Sequence, residues 1–324
     1  MATAENAKLQ YEAGQTATAM SALTNSGDET TFTSGASLWS RRSGYAPVVR
    51  PNGVLTGGAV TTHADNDKVS VAALTCNLQG VVTSVAAGSA TITRPVTDVA
   101  KVCSVTVNAS GALAVVAGTD GSTTAFSETR GAAGGPPLIP VDSIEIAQVR
   151  VTSDAAAAVA AAEIFQVVGT HRERADFPLY DIDYDSGSVT FLAALPEIHT
   201  GPLPKKVYAS YAAPIFADVA LASDFTPPET SHSVSSTQVY GTTMGSTSSA
   251  LGQGSFTAYM ESGVTDALVS LKNEILWFKF YPDRYQSPYI LTQGKLGIAR
   301  TFPAGDSIQA ACTISASAPA VEVA

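Results

Sequence analysis

Charge is scarce in this 324-residue chain. Asp, Glu, Lys and Arg make up 14% of it, against about 25% in an average soluble protein. Ser, Thr, Ala and Gly must therefore clothe much of the surface. The charge present is unbalanced: 18 Lys and Arg against 28 Asp and Glu leave a formal net charge of −10. A net-negative chain does not gather phosphates by counterion release, so tight nucleic-acid binding would need a local basic patch. The densest basic runs are only pairs: Arg41-Arg42, Lys205-Lys206 and Arg172 with Arg174. Cysteine is nearly absent too. Cys76, Cys103 and Cys312 make an odd count of 3 without a C-x-x-C, which excludes a disulfide framework and a zinc knuckle. No apolar run reaches the roughly 18 residues of a membrane helix. The residues from Met1 to Asn6 lack the basic and apolar regions of a signal peptide, which predicts a chain made and kept in a reducing compartment.

Catalytic signatures are also missing. The histidines, His63, His171, His199 and His232, are far apart and form no H-E-x-x-H. There is no G-x-S-x-G elbow and no phosphate loop, and Gly252-Gln253-Gly254 precedes a strand pattern rather than a helix. Asp181, Asp183 and Asp185 open like a calcium loop. Ser186 stands where that loop needs Gly, however, and Leu192 where it needs a bidentate Glu. The paired carboxylates Glu173 and Asp176 carry no recognisable spacing rule. The expectation is a protein that is not an enzyme and uses no cofactor and no metal.

What is present is short β-type runs. Residues 1–50 have few regularly spaced apolar positions and read as an N-terminal arm, with a short helix from Thr16 to Asn25 as its one regular element. Residues 51–136 are rich in Val, Ala, Thr, Ser and Gly, and aromatics vanish between Tyr45 and Phe126. Runs at Val69–Thr75, Ala90–Thr93, Val102–Val107 and Ala112–Ala117 predict an additional small β-sandwich-like domain. Gly131 to Pro137 reads as a linker.

Residues 137–324 hold most of the aromatics. Ser143–Val151 alternates as a strand, and the Ala-rich run from Asp154 to Ile164 predicts a short helix. Tyr180 to Phe191 predicts a hairpin turning at Asp185 to Ser188. Ser231 to Gly254 is a Ser/Thr/Gly segment, a loop or a hairpin ordered by a neighbour; Ser231, Thr237, Tyr240, Met244 and Leu251 are its candidate contact residues. After a strand at Ser255 to Glu261, the spacing of Val264, Leu268, Leu271 and Ile275 predicts an amphipathic helix with one apolar stripe. Strands at Trp277–Tyr281, Lys295–Phe302 and Ser307–Ser315 follow. The predicted fold class is mainly β: two packed antiparallel sheets with a flanking α-helix, plus the additional domain.

This C-terminal order resembles the end of a long-tailed bacteriophage major tail protein, the tail tube subunit. The resemblance rests on Leu251 to Ala316: the strand Gly254–Glu261, the helix Val264–Leu276, the aromatic strand Trp277-Phe278-Lys279-Phe280-Tyr281, then Tyr289-Ile290-Leu291 and the pair Gly294–Phe302 and Ala304–Ser315. Tyr180–Phe191 is similar to a hairpin common in virion tail proteins. The resemblance spans roughly residues 140 to 316 and lies in the order of elements, not in a motif. It implies a virion protein assembled in the host cytoplasm, closing into six-membered rings that stack into a tube for DNA delivery. Its implied partners are itself, the tape measure, terminator and baseplate proteins, and passing double-stranded DNA held without tight binding; a membrane is not among them. An acidic lumen would repel phosphates, with Asp181, Asp183, Asp185 and Glu261 as candidate lining acids. The competing expectations are a secreted or surface-displayed adhesin or glycan-binding module, for which the Ser/Thr/Gly composition is suited, and another virion component such as a baseplate or capsid-decoration subunit.

Overall fold

A computed structural model describes residues 4–166, 173–175 and 179–324. His171, Arg172 and Asp176, named above, lie outside the described residues. The protein is mainly β, with 52% of the described residues in strands and 3% in helix. It divides into two compact units: Met1–Ala17, Leu38–Ala46 and Tyr211–Ala324 form the first, and Thr18–Ser37 with Pro47–Ser210 the second.

The first unit is built on one antiparallel sheet. Its strands lie in the order Ala222–Thr226, Gly254–Met260, Ile308–Ala316, Tyr289–Thr301, Ile275–Tyr281 and Lys8–Ala22. Alternation puts Phe256, Phe278, Leu296, Cys312 and Ile314 on the buried face, together with Leu9 and Tyr11. Leu268 and Leu271 pack on the same core. Trp39 is fully buried and stacks on Tyr211 with ring centroids 4.8 Å apart. Glu12 is also fully buried. Its carboxylate accepts hydrogen bonds from the Ser40 hydroxyl, from Gln15 at 2.8 Å and from the Trp277 amide at 3.2 Å.

The second unit is a set of small antiparallel sheets. The most buried runs in the order Leu113–Ala117, Lys101–Val107, Ile144–Val151 and Ile164–Phe165. Val105, Val107, Ile144, Ile146 and Val149 lie in its core, along with Val69, Leu74 and Cys76 from neighbouring sheets. Asn108 closes the turn between Lys101–Val107 and Leu113–Ala117: its side-chain oxygen accepts the amides of Ser110 and Ala112, each at 3.0 Å, and Gly111 takes φ +80°. The expected hairpin pairs Tyr180–Asp183 with Ser188–Phe191.

Several local expectations are overturned. The Lys8–Ala22 segment is a strand, not an arm with a helix; Leu9 and Tyr11 pair with Phe280 and Phe278, and this long-range pairing overrides weak local periodicity. The Val264–Leu276 helix shrinks to a single turn, Ala267–Ser270. Asp266 holds the start by accepting the amides of Glu261 and Gly263, at 2.9 and 2.6 Å, and Asn273 at φ +71° turns the chain out of the helix. Leu268 and Leu271 are buried as expected of the stripe. Val264, however, is 65% exposed, and Ile275 belongs to the next strand. The Ala-rich run retains only the 3₁₀ turn Ala161–Glu163. Gly131 to Pro137 is not a free linker: residues 134–137 are buried, and Gly134 donates to the Thr119 carbonyl at 2.8 Å. The expected boundary at 136/137 is therefore crossed by the Lys101–Val107 and Ile144–Val151 pairing within the second unit.

Candidate functional site

The segment from Ser231 to Leu251 folds as a hairpin. Thr230–Val239 and Thr242–Leu251, ten residues each, pair antiparallel from Thr230 opposite Leu251 to Val239 opposite Thr242. They form a separate sheet of only two strands. All residues of both strands are exposed, and Tyr240 at the tip is fully so. Gly241 beside it takes φ +87°, the left-handed geometry a tight hairpin turn requires. At the base, the Gly252 amide donates to the Glu229 carbonyl at 2.8 Å.

Short polar side chains hold the strands in register. The Ser233 and Ser248 hydroxyls meet across the pair at 2.7 Å, as do those of Ser235 and Ser246. Such cross-strand pairs contribute about 0.2–1 kcal/mol each. A hairpin of two strands with no buried face is marginal in water. Between Thr230 and Leu251 there is no Asp, Glu, Lys, Arg or Pro. Natural edges are usually blunted by charge or proline, because open N–H and C=O rows recruit further strands. Both outer edges here lack that protection. The apolar side chains present are exposed, among them Val234 (76%) and Met244 (64%).

The structure thus gathers the candidate contact residues on one element. Ser231 and Leu251 sit at the base, Thr237 opposes Met244 toward the tip, and Tyr240 is the tip. The candidate acids are divided between the two units. Asp181, Asp183 and Asp185 are exposed on the Tyr180–Phe191 hairpin of the second unit, while exposed Glu261 belongs to the first. Asp183 serves its own turn, accepting the Asp185 amide at 3.0 Å and the Ser186 hydroxyl at 2.8 Å. Among the described residues, no group of three or more His, Cys, Asp or Glu is placed to hold a metal ion. The three cysteines are free and buried; burial pushes the Cys76 thiol up to about 11 and that of Cys312 to about 12.

A buried polar network in the second unit escaped the sequence reading. Glu145, 3% exposed, accepts hydrogen bonds from Arg130 at 2.6 and 3.3 Å and from Ser104 at 2.5 Å. Gln148 adds contacts at 3.3 and 3.4 Å. Glu173 lies beside it, its Oε2 accepting the Glu145 amide at 3.3 Å. Lys205, 1% exposed, stands 4.0 Å from Glu173 and donates to the Arg174 carbonyl. Lys205-Lys206 had looked like a basic surface run, and only the fold shows Lys205 committed to this interior. No signal in the sequence joins residues so far apart. No protein-family model matches this chain, and no curated protein matches it either.

Proposed function

We propose that the chain is a structural subunit that self-associates by adding β-strands through the Thr230–Leu251 hairpin, and that the assembly is the tail tube of a long-tailed bacteriophage. The observation that carries the reading is the hairpin itself: fully exposed, uncharged and open on both edges. A hairpin in that state gains most by pairing with another chain, which shields its apolar side chains and satisfies its edges. The tail tube assignment rests on the order of elements from Leu251 to Ala316, where the strands are Gly254–Met260, Ile275–Tyr281, Tyr289–Thr301 and Ile308–Ala316, with one helical turn, Ala267–Ser270, after the first. In this reading rings stack into a conduit, and a net charge of −10 per subunit disfavours adhesion of passing DNA. No catalytic role is proposed.

The test is negative-stain electron microscopy of the purified full chain in near-physiological salt, with sedimentation over a range of concentrations. Rings or hollow tubes with a regular axial repeat are expected. A companion variant replaces Thr230–Leu251 by a short turn, which the closed base at Glu229 and Gly252 permits. It should fold and stay monomeric. A full chain that is monomeric at every concentration overturns self-association; tubes from the shortened variant overturn the role of the hairpin.

A further inference from the structure

Four hydrogen bonds seat residues 173–175 in the second unit. The Glu173 amide donates to the Glu145 carbonyl at 3.0 Å, and the Val54 amide donates to the Glu173 carbonyl at 3.1 Å. The Ala175 amide donates to the Val54 carbonyl at 3.3 Å, and Lys205 Nζ takes the Arg174 carbonyl. The seat is cut to fit a glycine. Gly53 has φ +151°, and a Cβ there would stand 2.5 Å from both the Arg174 carbonyl carbon and the Ala175 nitrogen.

The Glu173 side chain is buried, and its two oxygens are unequally served: Oε2 has the Glu145 amide, whereas Oε1 has no solvent and, among the described residues, no hydrogen-bond partner, only Lys205 Nζ at 4.0 Å. Among the described residues, the charged groups facing it are Glu145 from the Ile144–Val151 strand, Arg130 and Lys205. Arg130 is committed to Glu145, and Lys205, at 4.0 Å, gives a hydrogen bond to Arg174 instead. An ionised carboxylate with one buried oxygen outside hydrogen-bond reach is costly, and protonation removes the part of that cost due to its charge. We infer that Glu173 is a proton-operated latch: its neutral carboxyl holds residues 173–175 down on Val54 and Glu145, and its ionisation loosens them.

The electrostatics agree. Desolvation outweighs the pull of Lys205 and pushes the carboxyl from 4.5 up to about 7. A value raised in the seated form means the seated form binds the proton more tightly than the released one. The seat is therefore tightest below the ordinary carboxylate value, weakens as pH rises toward about 7, and is level above it.

The test is hydrogen exchange of the full chain between about pH 5 and 8, corrected for intrinsic rates, read at the Val54, Glu173 and Ala175 amides. Protection there should fall toward the alkaline end, while core amides such as Val105 do not change. Glu173→Gln should keep the protection and flatten the profile, and Gly53→Ala should lose it at every pH. A flat wild-type profile overturns the latch, as does a Glu173→Gln profile that follows the wild type. If Glu173→Gln does not fold, a carboxyl carbon-13 titration of the wild-type protein decides. A Glu173 midpoint near neutrality supports the latch, and one at the ordinary carboxylate value overturns it.

Discussion

The Lys101–Val107 and Ile144–Val151 strands form an antiparallel pair, and so do Thr230–Val239 and Thr242–Leu251. Every residue of the first pair is buried except Arg150, and every residue of the second is exposed. Both use β-formers, and both have an unbroken or nearly unbroken ladder. The difference lies in what stabilises them. Burying an aliphatic side chain contributes about 1.5–3 kcal/mol, so the first pair is held by Val, Ile and Cys packing within its own unit. The second pair has only hydroxyl contacts and its ladder. Antiparallel pairing thus builds a core in one place and a fully exposed hairpin in the other.

The sharpest way to break this comparison is to put a charge into each pair. Ile146→Asp buries an unpaired carboxylate and should cost roughly 4 kcal/mol or more, read as collapse of the denaturant midpoint. Glu145→Ala removes the carboxylate from the partly buried Arg130, which keeps only the Pro137 carbonyl, and should cost about 3 kcal/mol by the same measurement. Leu271→Ala in the first unit should cost about 2–5 kcal/mol, because Leu271 lies in the sheet core although its helix is one turn long. An unchanged melting temperature there would mean that the turn is peripheral. Val234→Asp should move the folding free energy by less than about 0.5 kcal/mol and yet abolish concentration-dependent association in sedimentation. A Val234→Asp chain that destabilises as strongly as Ile146→Asp would show that the hairpin face is not free. The smallest effect is expected for Ser233→Ala with Ser248→Ala. It should soften the hairpin by a few tenths of a kcal/mol, detectable as faster exchange of its own amides only.

Much of this contrast was legible beforehand. Period-two alternation located Ser255–Glu261, Trp277–Tyr281 and Ser307–Ser315 close to their observed bounds. The composition of Ser231–Gly254 marked it as a segment unable to pack on its own. The helix stripe misled because Leu268 and Leu271 satisfy a helical period and are buried, while Gly263 and Asn273 set the limits through positive φ, at +68° and +71°. The N-terminal strand was missed because Leu9 and Tyr11 are too few to announce themselves without their partners Phe280 and Phe278.

By itself, then, the sequence determined the β character, the low and negative charge, the absence of a catalytic signature and the uncharged stretch that became the hairpin. All of these are properties of composition and short-range period. Tertiary structure alone decided that residues 8–22 are a sheet strand, that Gly131 to Pro137 is packed rather than free, and that Glu173 lies against Glu145 and Lys205. The reason is physical. Strand pairing and the burial of a charge are set by neighbours distant in sequence, and their energies exceed the local propensities that a linear reading can sum.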